Sequence, residues 1–198
     1  MNRLVVKKKY PLKKLTTMKI GGPAKYFFIA EKENDLIWAI NWAEKKKVRW
    51  CIIGDGSNLV PSDLGFNGLI IKNKIKNFNR TGSRVFVGAG NSLLQFIHKL
   101  NWLGLAGMEK MAGIPGTVGG AIYGSAGAYG QEIKDYLVRT KVFDGKKTCW
   151  LSKKQCRFNY RESIFKKKKD WIILGAEFKL KKDNPKEFQR ISKEIIKI

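Results

Sequence analysis

Glycine dominates one stretch in the middle of the chain, and this stretch limits what the chain can fold into. Residues 113–130, called the glycine run below, include seven glycines and three alanines. A stretch with so few large side chains packs a core poorly. It lets the backbone approach a flat, polar ligand, because glycine lacks Cβ and permits positive φ. Successive backbone N–H groups could then face one anion or the acceptors of a ring. The alternative is a plain turn, which needs only one or two glycines.

Two further glycine loops point to the same ligand. Residues 50–59, Trp-Cys-Ile-Ile-Gly-Asp-Gly-Ser-Asn-Leu, indicate a buried strand that enters a tight loop. In this loop Ser57 and Asn58 add side-chain donors suited to a phosphate or pyrophosphate. The pair Gly21-Gly22 precedes Pro23. Three separate glycine loops predict one extended ligand that is contacted at several points.

The common nucleotide-binding motifs do not fit these loops. Leu59 stands where the dinucleotide fingerprint that starts at Gly54 needs its third glycine, and Leu93 fails in the same way after Gly88. The sequence has no Gly-x-x-x-x-Gly-Lys-Ser/Thr motif. These departures argue against a doubly wound fold and against a P-loop.

Apolar periodicity predicts an α+β protein with two lobes that meet near residues 70–80. One helix is predicted to begin at Asn34 or Asp35, a second to follow the cap Ser92, and a last one to follow the cap Asn184 with Pro185 at its first position. Asp144-Gly145 predicts a hairpin turn. Strands are predicted over residues 48–53, 68–71, 84–87, 136–143, 147–151 and 171–180.

Composition describes a globular protein without a membrane segment. Hydrophobic residues make up 43% of the 198 residues, and no stretch has 18 consecutive apolar residues. With no signal peptide pattern either, a cytoplasmic location is expected. Cys51, Cys149 and Cys156 lack metal-ligand spacing and are predicted to be reduced structural thiols. His98 is the single histidine, which excludes a histidine-based triad or zinc site.

The net charge of +24 raises the hypothesis of nucleic-acid binding. The basic residues, however, are scattered among loops and helix ends, and aromatic residues do not alternate with them as in single-strand binders. A solvated, lysine-rich surface is the preferred interpretation, so nucleic acid is not an expected partner. Such a positive field would also attract anionic cofactors and substrates.

Six segments match one known family in its order and spacing. They are residues 17–24 (Thr-Met-Lys-Ile-Gly-Gly-Pro-Ala), residues 54–59, Asp63 with Gly65-Phe66, residues 87–90, the glycine run, and residues 158–165 (Phe-Asn-Tyr-Arg-Glu-Ser-Ile-Phe). Together they resemble the UDP-N-acetylenolpyruvoylglucosamine reductase (UDP-N-acetylmuramate dehydrogenase) family, flavoenzymes of peptidoglycan precursor synthesis. The resemblance covers the chain from about residue 15 to residue 180.

This resemblance implies a fold and a division of the chain. It implies the two-lobed α+β FAD-binding domain of the vanillyl-alcohol oxidase (PCMH) type, with FAD held non-covalently between the lobes and NADPH as co-substrate. The expected divisions are residues 1–75 for the first lobe, 76–182 for the second, and 183–198 for the start of a linker helix.

The resemblance also implies particular site residues. Arg161 matches the family's catalytic arginine, which binds the substrate carboxylate with its planar fork, and Tyr160 is expected to contact flavin or substrate. The expected cofactor-binding residues are Ile20, Gly54, Gly56, Ser57, Asn58, Gly113, Ile114, Gly116, Thr117, Gly119, Gly120, Ala121, Ala126 and Gly127.

In the family, hydride passes from NADPH to the flavin and then to the enolpyruvyl β-carbon of the UDP-sugar, and a serine protonates the adjacent carbon. That serine lies in a Ser-Ala-Gly-Ser-type motif of a third domain, and no such motif occurs here. The chain is therefore expected to resemble the first two domains, with a separate polypeptide as one source of the third.

Two departures from the family pattern bear on the site. Asp55 stands where many members have glycine, which places a carboxylate near the expected phosphates unless it points away. Gly124-Ser125 replaces a common Met-Asn pair, so one hydrogen bond is expected to differ. Besides the reductase, the open alternatives are an FAD-binding module without reductase turnover and a basic nucleic-acid-binding protein.

Overall fold

The structure is a computed structural model that describes residues 4–183 and 185–197. It divides into two compact units, and the division falls between Ile75 and Lys76. Asn184, the predicted cap of the last helix, lies outside the described residues. Among the described residues no helix is long and apolar enough to cross a membrane.

The first unit is a four-stranded sheet with one long helix. Its strands are β1 (Lys7–Pro11), β2 (Pro23–Ala30), β3 (Arg49–Ile53) and β4 (Phe66–Asn73). They lie in the order β1-β2-β4-β3, with β1 antiparallel to β2 and the other pairs parallel. Helix α1 (Glu33–Lys45) connects β2 to β3 and buries Leu36, Ala39, Ile40 and Ala43.

Both faces of this sheet are covered by aromatic side chains. Phe27 stacks on Tyr10 with ring centroids 4.0 Å apart, and Phe28 contacts Trp38 of α1. Burial on both faces explains why the middle of β4 is a continuous apolar run rather than an alternating strand.

The predicted start of α1 at Asn34 or Asp35 is wrong. The helix begins at Glu33. Asp35 does bind the open end of the helix, but it does so from inside the first turn, where its Oδ2 accepts hydrogen bonds from the N–H groups of Lys32 (2.9 Å) and Glu31 (3.1 Å). A carboxylate three residues into a helix can satisfy donors that a cap leaves open.

The second unit contains a five-stranded antiparallel sheet and several short elements. Its strands are β5 (Phe78–Thr81), β6 (Arg84–Gly88), β7 (Leu105–Ala106), β8 (Gly127–Ala128), β9 (Gln131–Glu132), β10 (Leu137–Phe143), β11 (Thr148–Ser152), β12 (Ile172–Lys179) and β13 (Lys181–Lys182). Its helices are α2 (Leu93–Trp102), α3 (Val118–Tyr123), α4 (Ile133–Tyr136), α5 (Ile164–Lys167) and α6 (Pro185–Lys197).

The large sheet has the strand order β11-β10-β12-β6-β5. Helix α2 packs over it, and Phe96 of α2 contacts Phe178 of β12 with ring centroids 5.5 Å apart. Ser92 caps α2 as predicted, because its side chain accepts from the N–H of Gln95. His98 is exposed on this helix.

The last helix, α6, packs against the rest of the second unit. The buried side chains of Asn101 on α2 and Ser192 on α6 form a hydrogen bond of 2.7 Å. Gly113, at the start of the glycine run, faces α6 so closely that an added Cβ would lie 3.2 Å from Cγ2 of Ile195.

A carboxylate ties three strands together on the other side of the large sheet. Glu177 on β12 accepts from Arg84 on β6 (2.6 Å) and from Arg139 on β10 (2.7 Å). Burial opposes its ionisation, but the hydrogen bonds and charges of the two arginines outweigh burial and hold the pKa of Glu177 below its ordinary value.

Candidate functional site

The glycine run folds around the short helix α3. Thr117 is its cap, and Thr117 Oγ1 accepts from the N–H of Gly120 at 3.2 Å. The N–H of Val118 donates to Asn91 O and that of Gly119 to Ala89 O, both at 2.9 Å. The prediction that successive amides of the run face one anion is therefore wrong at these three positions, since all three donors are bound within the protein.

The glycines of the run differ in what the protein itself requires. A Cβ at Gly119 would lie 2.8 Å from the Cβ of Ala89, closer than real Cβ contacts occur. At Gly120 the nearest atom would be Thr117 Oγ1 at 3.4 Å, an ordinary contact, and Gly120 is exposed. Packing inside the protein thus explains Gly119 but not Gly120. A bare, exposed backbone patch at Gly120 is what close approach of a flat ligand needs, so this surface fits the flavin.

The other predicted residues of the run differ in backbone conformation and in exposure. Gly116 has φ 113°, which favours glycine, and its carbonyl accepts from Leu93 N–H at 2.9 Å. Ala121 and Ala126 are buried, Ile114 is half-buried, and Gly113 is exposed.

A cavity of about 390 Å³ lies at the end of the run. It brings together three predicted residues from two separate motifs: Gly127 of the glycine run, and Tyr160 and Arg161 of residues 158–165. The remaining lining residues are Ser125, Ala128, Tyr129, Gly130, Gln131 and Glu132. Sequence reasoning did not assign these six to the site, although four of them belong to the glycine run and extending the site to the end of the run would have found them.

Arg161 is held at the cavity by backbone contacts. Its Nη2 donates to Gly127 O at 3.2 Å, while its own carbonyl accepts from Lys166 Nζ at 2.6 Å. Arg161 has φ 53°, an uncommon conformation for a residue with a side chain. Such local backbone strain persists where the surroundings enforce it, as at ligand-binding sites. Tyr160 is 78% exposed at the cavity mouth.

Ser125 is the unusual member of the cavity wall. It also has positive φ (48°), it is 2% exposed, and its Oγ has no hydrogen-bond partner among the described residues. A buried hydroxyl without a partner costs free energy. This is the position where the family pattern has an asparagine, so the hydrogen-bond difference predicted there remains a prediction.

The remaining predicted residues lie together in the first unit. Residues 54–58, called the 54–58 loop below, follow β3. Gly56 has φ 70°, and a Cβ there would lie 2.0 Å from Leu15 O, so only glycine fits. Gly56 O accepts from Thr17 N–H at 3.2 Å, which joins the loop to the turn that ends at Ile20. Ile20 is 41% exposed, and Ser57 and Asn58 follow Gly56 at the surface end of the loop.

The carboxylate of Asp55 has a cationic partner. Lys72 on β4 donates from Nζ to Asp55 Oδ1 at 2.9 Å and to Gly54 O at 2.5 Å. The Lys72 side chain is only 12% exposed. The structure thus places a counter-charge directly beside the carboxylate that the sequence put in this loop.

The thiols and the metal-ligating side chains offer no second chemistry. All three cysteines are free, and burial raises the pKa of the Cys51, Cys149 and Cys156 thiols, which keeps them protonated at neutral pH. Within residues 4–183 and 185–197 no group of three or more His, Cys, Asp or Glu side chains could hold a metal ion.

Comparison with known proteins assigns the domain. The FAD binding domain family matches residues 24–150, about two thirds of the chain, and the chain belongs to this family. It is 40% identical over 195 residues to the UDP-N-acetylenolpyruvoylglucosamine reductase of Solibacter usitatus, covering 98% of this chain and 62% of that protein. Identity to the reductase of that name from Bacillus pumilus is 37% over 177 residues, 88% of this chain and 58% of that protein.

Solved structures agree with this assignment. The UDP-N-acetylenolpyruvylglucosamine reductase (MurB) of Thermus caldophilus superposes with a TM-score of 0.82 at 28% identity, covering 98% of this chain and 68% of that one. The 6-hydroxy-D-nicotine oxidase of Arthrobacter nicotinovorans shares the fold alone, with a TM-score of 0.66 at 14% identity over 91% of this chain and 42% of that one.

These comparisons confirm the α+β fold of the vanillyl-alcohol oxidase type, the resemblance to the reductases, and FAD as the cofactor. The chain spans about three fifths of the length of the curated relatives it matches.

Proposed function

We propose that this chain supplies the FAD-binding part of a UDP-N-acetylenolpyruvoylglucosamine reductase. The observation that carries the proposal is the cavity where Arg161 and Tyr160 meet the end of the glycine run, because two motifs that are about thirty residues apart in sequence converge there. Chains 37–40% identical to this one bear the reductase name. The cytoplasmic location stays a prediction from the sequence, which shows neither a long apolar stretch nor a signal-peptide pattern.

In this proposal the substrate is the enolpyruvyl UDP-sugar, NADPH is the reductant, and bound FAD supplies hydride transfer. Arg161 would hold the substrate carboxylate with two parallel hydrogen bonds. Hydride addition to the enolpyruvyl group builds negative charge towards that carboxylate, so a fixed cation stabilises the transition state more than the ground state. Tyr160, exposed at the cavity mouth, would contact flavin or substrate.

Each glycine surface is proposed to take part in cofactor binding. The 54–58 loop with Ile20 would hold the pyrophosphate, and the run from Gly113 to Gly127 would contact the flavin. FAD is expected to bind non-covalently, since none of the three cysteines occupies an attachment position of the matching family, and neither does the single histidine, His98.

The first test is binding. The purified chain should be yellow, and acid precipitation should release the flavin into the supernatant. Flavin that stays with the precipitate would contradict non-covalent binding. A colourless chain that cannot be reconstituted with FAD would contradict the proposed function itself.

The second test concerns Arg161 in a protein that joins these residues to the third domain of a matching reductase. Arg161→Lys should slow reoxidation of the reduced enzyme by substrate by about 2–4 kcal/mol of transition-state stabilisation, because an ammonium group cannot reproduce the two-pronged geometry. Reduction by NADPH should change much less. The exposed Arg157, which also has positive φ (48°), provides the control Arg157→Lys, which should leave both half-reactions intact.

A second candidate function is an FAD-binding module without turnover. It is favoured by the absence of a Ser-Ala-Gly-Ser motif from these 198 residues. We expect the proton donor to come from residues outside them, and a missing general acid costs about 10²–10⁴-fold in rate. The 198 residues incubated with NADPH and the enolpyruvyl UDP-sugar should form no product by mass spectrometry. Product at an ordinary enzymatic rate would show that a residue within them replaces the acid.

A further inference from the structure

The surroundings of Lys72 are unusual for a lysine. Its strand, β4, lies between β2 and β3 in the sheet, and Lys72 pairs with Ile29 on one side and with Ile53 on the other. Only 12% of its side chain is exposed. A buried ammonium group is costly unless it is paired and hydrogen-bonded. A lysine at this place therefore needs partners that hold it.

Its two partners both belong to the 54–58 loop. Lys72 Nζ lies 2.5 Å from Gly54 O and 2.9 Å from Asp55 Oδ1. Because a trans peptide places its C=O and N–H on opposite sides, holding Gly54 O also fixes the direction of the Asp55 N–H. One side chain thus fixes a backbone plane and a carboxylate in the same loop.

The charges around this contact indicate what Lys72 does in the loop. A diphosphate repels a nearby carboxylate, and the Asp55 side chain is 46% exposed in the loop that is proposed to meet the diphosphate. Lys72 offsets that charge from the protein side. Removing Lys72 would leave an uncompensated carboxylate and a less restrained loop, both of which oppose binding of an anion.

We propose that Lys72 is a positioning residue for the diphosphate of the dinucleotide: it orients the 54–58 loop and neutralises Asp55. The inference rests on the proposed FAD-binding function. It concerns residues that need not touch the cofactor, and it predicts a specific coupling between Lys72 and Asp55.

The test is a double-mutant cycle in FAD binding to the apo-protein, followed by quenching of flavin fluorescence. Lys72→Met should weaken FAD binding about 10- to 100-fold. Asp55→Asn should bind FAD as tightly as the wild type or more tightly, because it removes a negative charge. The double variant Asp55→Asn/Lys72→Met should recover at least part of the lost affinity. A purely structural pair predicts the opposite, since either single change would then weaken binding.

Two control variants distinguish the specific loss of the Lys72 charge from a general loss of charge or of folding. Lys74→Met removes the same charge from an exposed position two residues along and should change the affinity less than twofold. Lys72→Arg keeps the charge and should restore most of the affinity. Thermal midpoints of the apo-proteins identify any variant that does not fold. If Lys72→Met does not fold, weaker FAD binding by Asp55→Asn would still overturn the proposal, and tighter binding would support it.

Each outcome bears on the proposal. Equal FAD affinity of Lys72→Met and Lys74→Met would overturn it, and so would weaker binding by Asp55→Asn. A wild-type chain that binds no FAD would overturn the proposed function and this inference together. Wild-type binding with an unaffected Lys72→Met would overturn only the role of Lys72.

Discussion

The 54–58 loop and the glycine run use glycine for opposite reasons. In the first unit a Cβ at Gly56 would lie 2.0 Å from Leu15 O, and one at Gly22 would lie 2.0 Å from Asp63 O. These glycines let one backbone segment touch another. In the glycine run, the exposed Gly120 has only an ordinary contact at 3.4 Å. No contact among the described residues requires its small size, which is why a role in ligand binding is proposed for it.

This contrast separates folding from binding at the level of single residues. A glycine whose added Cβ would meet backbone within its own unit, or whose φ is positive, is explained by the fold, whereas neither reason explains the exposed Gly120. Gly119 and Gly120 show that the two kinds can be neighbours, because Gly119 faces Ala89 and Gly120 faces outward. Substitution by alanine should therefore tell them apart.

The largest effect is expected at Gly56. Gly56→Ala places a Cβ against Leu15 O and forces alanine into φ 70°, so we expect the first unit to lose at least about 3 kcal/mol of stability. Hydrogen exchange read peptide by peptide should show faster exchange in residues 4–75 in particular. Gly82→Ala, with φ 61° and no atom within 4 Å, isolates the backbone term and should cost about 1 kcal/mol. Equal losses in both variants would show that the close contact is unimportant.

Smaller effects are expected in the glycine run, on stability at Gly119 and on FAD affinity at Gly120. Gly119→Ala should destabilise the second unit by about 1–3 kcal/mol through overpacking against Ala89. Gly120→Ala should leave the apo-protein as stable or up to about 1 kcal/mol more stable, since alanine is the better helix residue. It should nevertheless weaken FAD binding at least tenfold. Unfolding midpoints of the apo-proteins and FAD titrations measure the two properties separately. If Gly120→Ala binds FAD normally, this position does not contact the cofactor.

Local patterns were sufficient for much of the fold. The strands were predicted to within two residues of their ends wherever an apolar run is bounded by turn residues, as in β6 and β10, and Ser92 identified the start of α2. Strand β2 escaped prediction. Pro23 and Lys25 interrupt its apolar run, and it is defined by pairing with β1 and β4 rather than by its own sequence.

The family motifs name candidate site residues, and these assignments stay predictions, whereas the sequence does not reveal hydrogen-bond partners that are distant in the chain. Nothing near Val118 or Gly119 indicates that Asn91 and Ala89 take their N–H groups, because that pairing is made by chain nearly thirty residues earlier. Likewise the sequence flagged Asp55 as an unfavourable charge, but Lys72, its counter-charge, lies on another strand. Hydrogen bonds between distant segments are a property of the folded chain, so the structure is needed to find them.

The smallest expected effect extends the comparison to charge pairs. In the first unit the buried partner is a cation, Lys72, whereas in the second it is a carboxylate, Glu177, held between Arg84 and Arg139. If Lys72 serves binding and Glu177 serves the sheet, Glu177→Gln should leave FAD affinity unchanged and lower stability at neutral pH. The expected loss is about 1 kcal/mol, because both arginines are about half exposed.

The pH dependence of this loss has a defined direction. The pKa of Glu177 is lowered in the folded protein, so its ionised form adds stability above the pKa of the unfolded chain, about 4.3 for glutamate. That contribution disappears as the pH falls through the folded-state pKa, because the carboxyl is then protonated in both states. Urea unfolding of wild type and Glu177→Gln should therefore differ at pH 7 and converge below pH 4. A stability difference that persists unchanged at low pH would mean that the shape of the Glu177 side chain, rather than its charge, stabilises the sheet. Glu177 and Lys72 would then be alike only in being buried, and the comparison of their charges would fail.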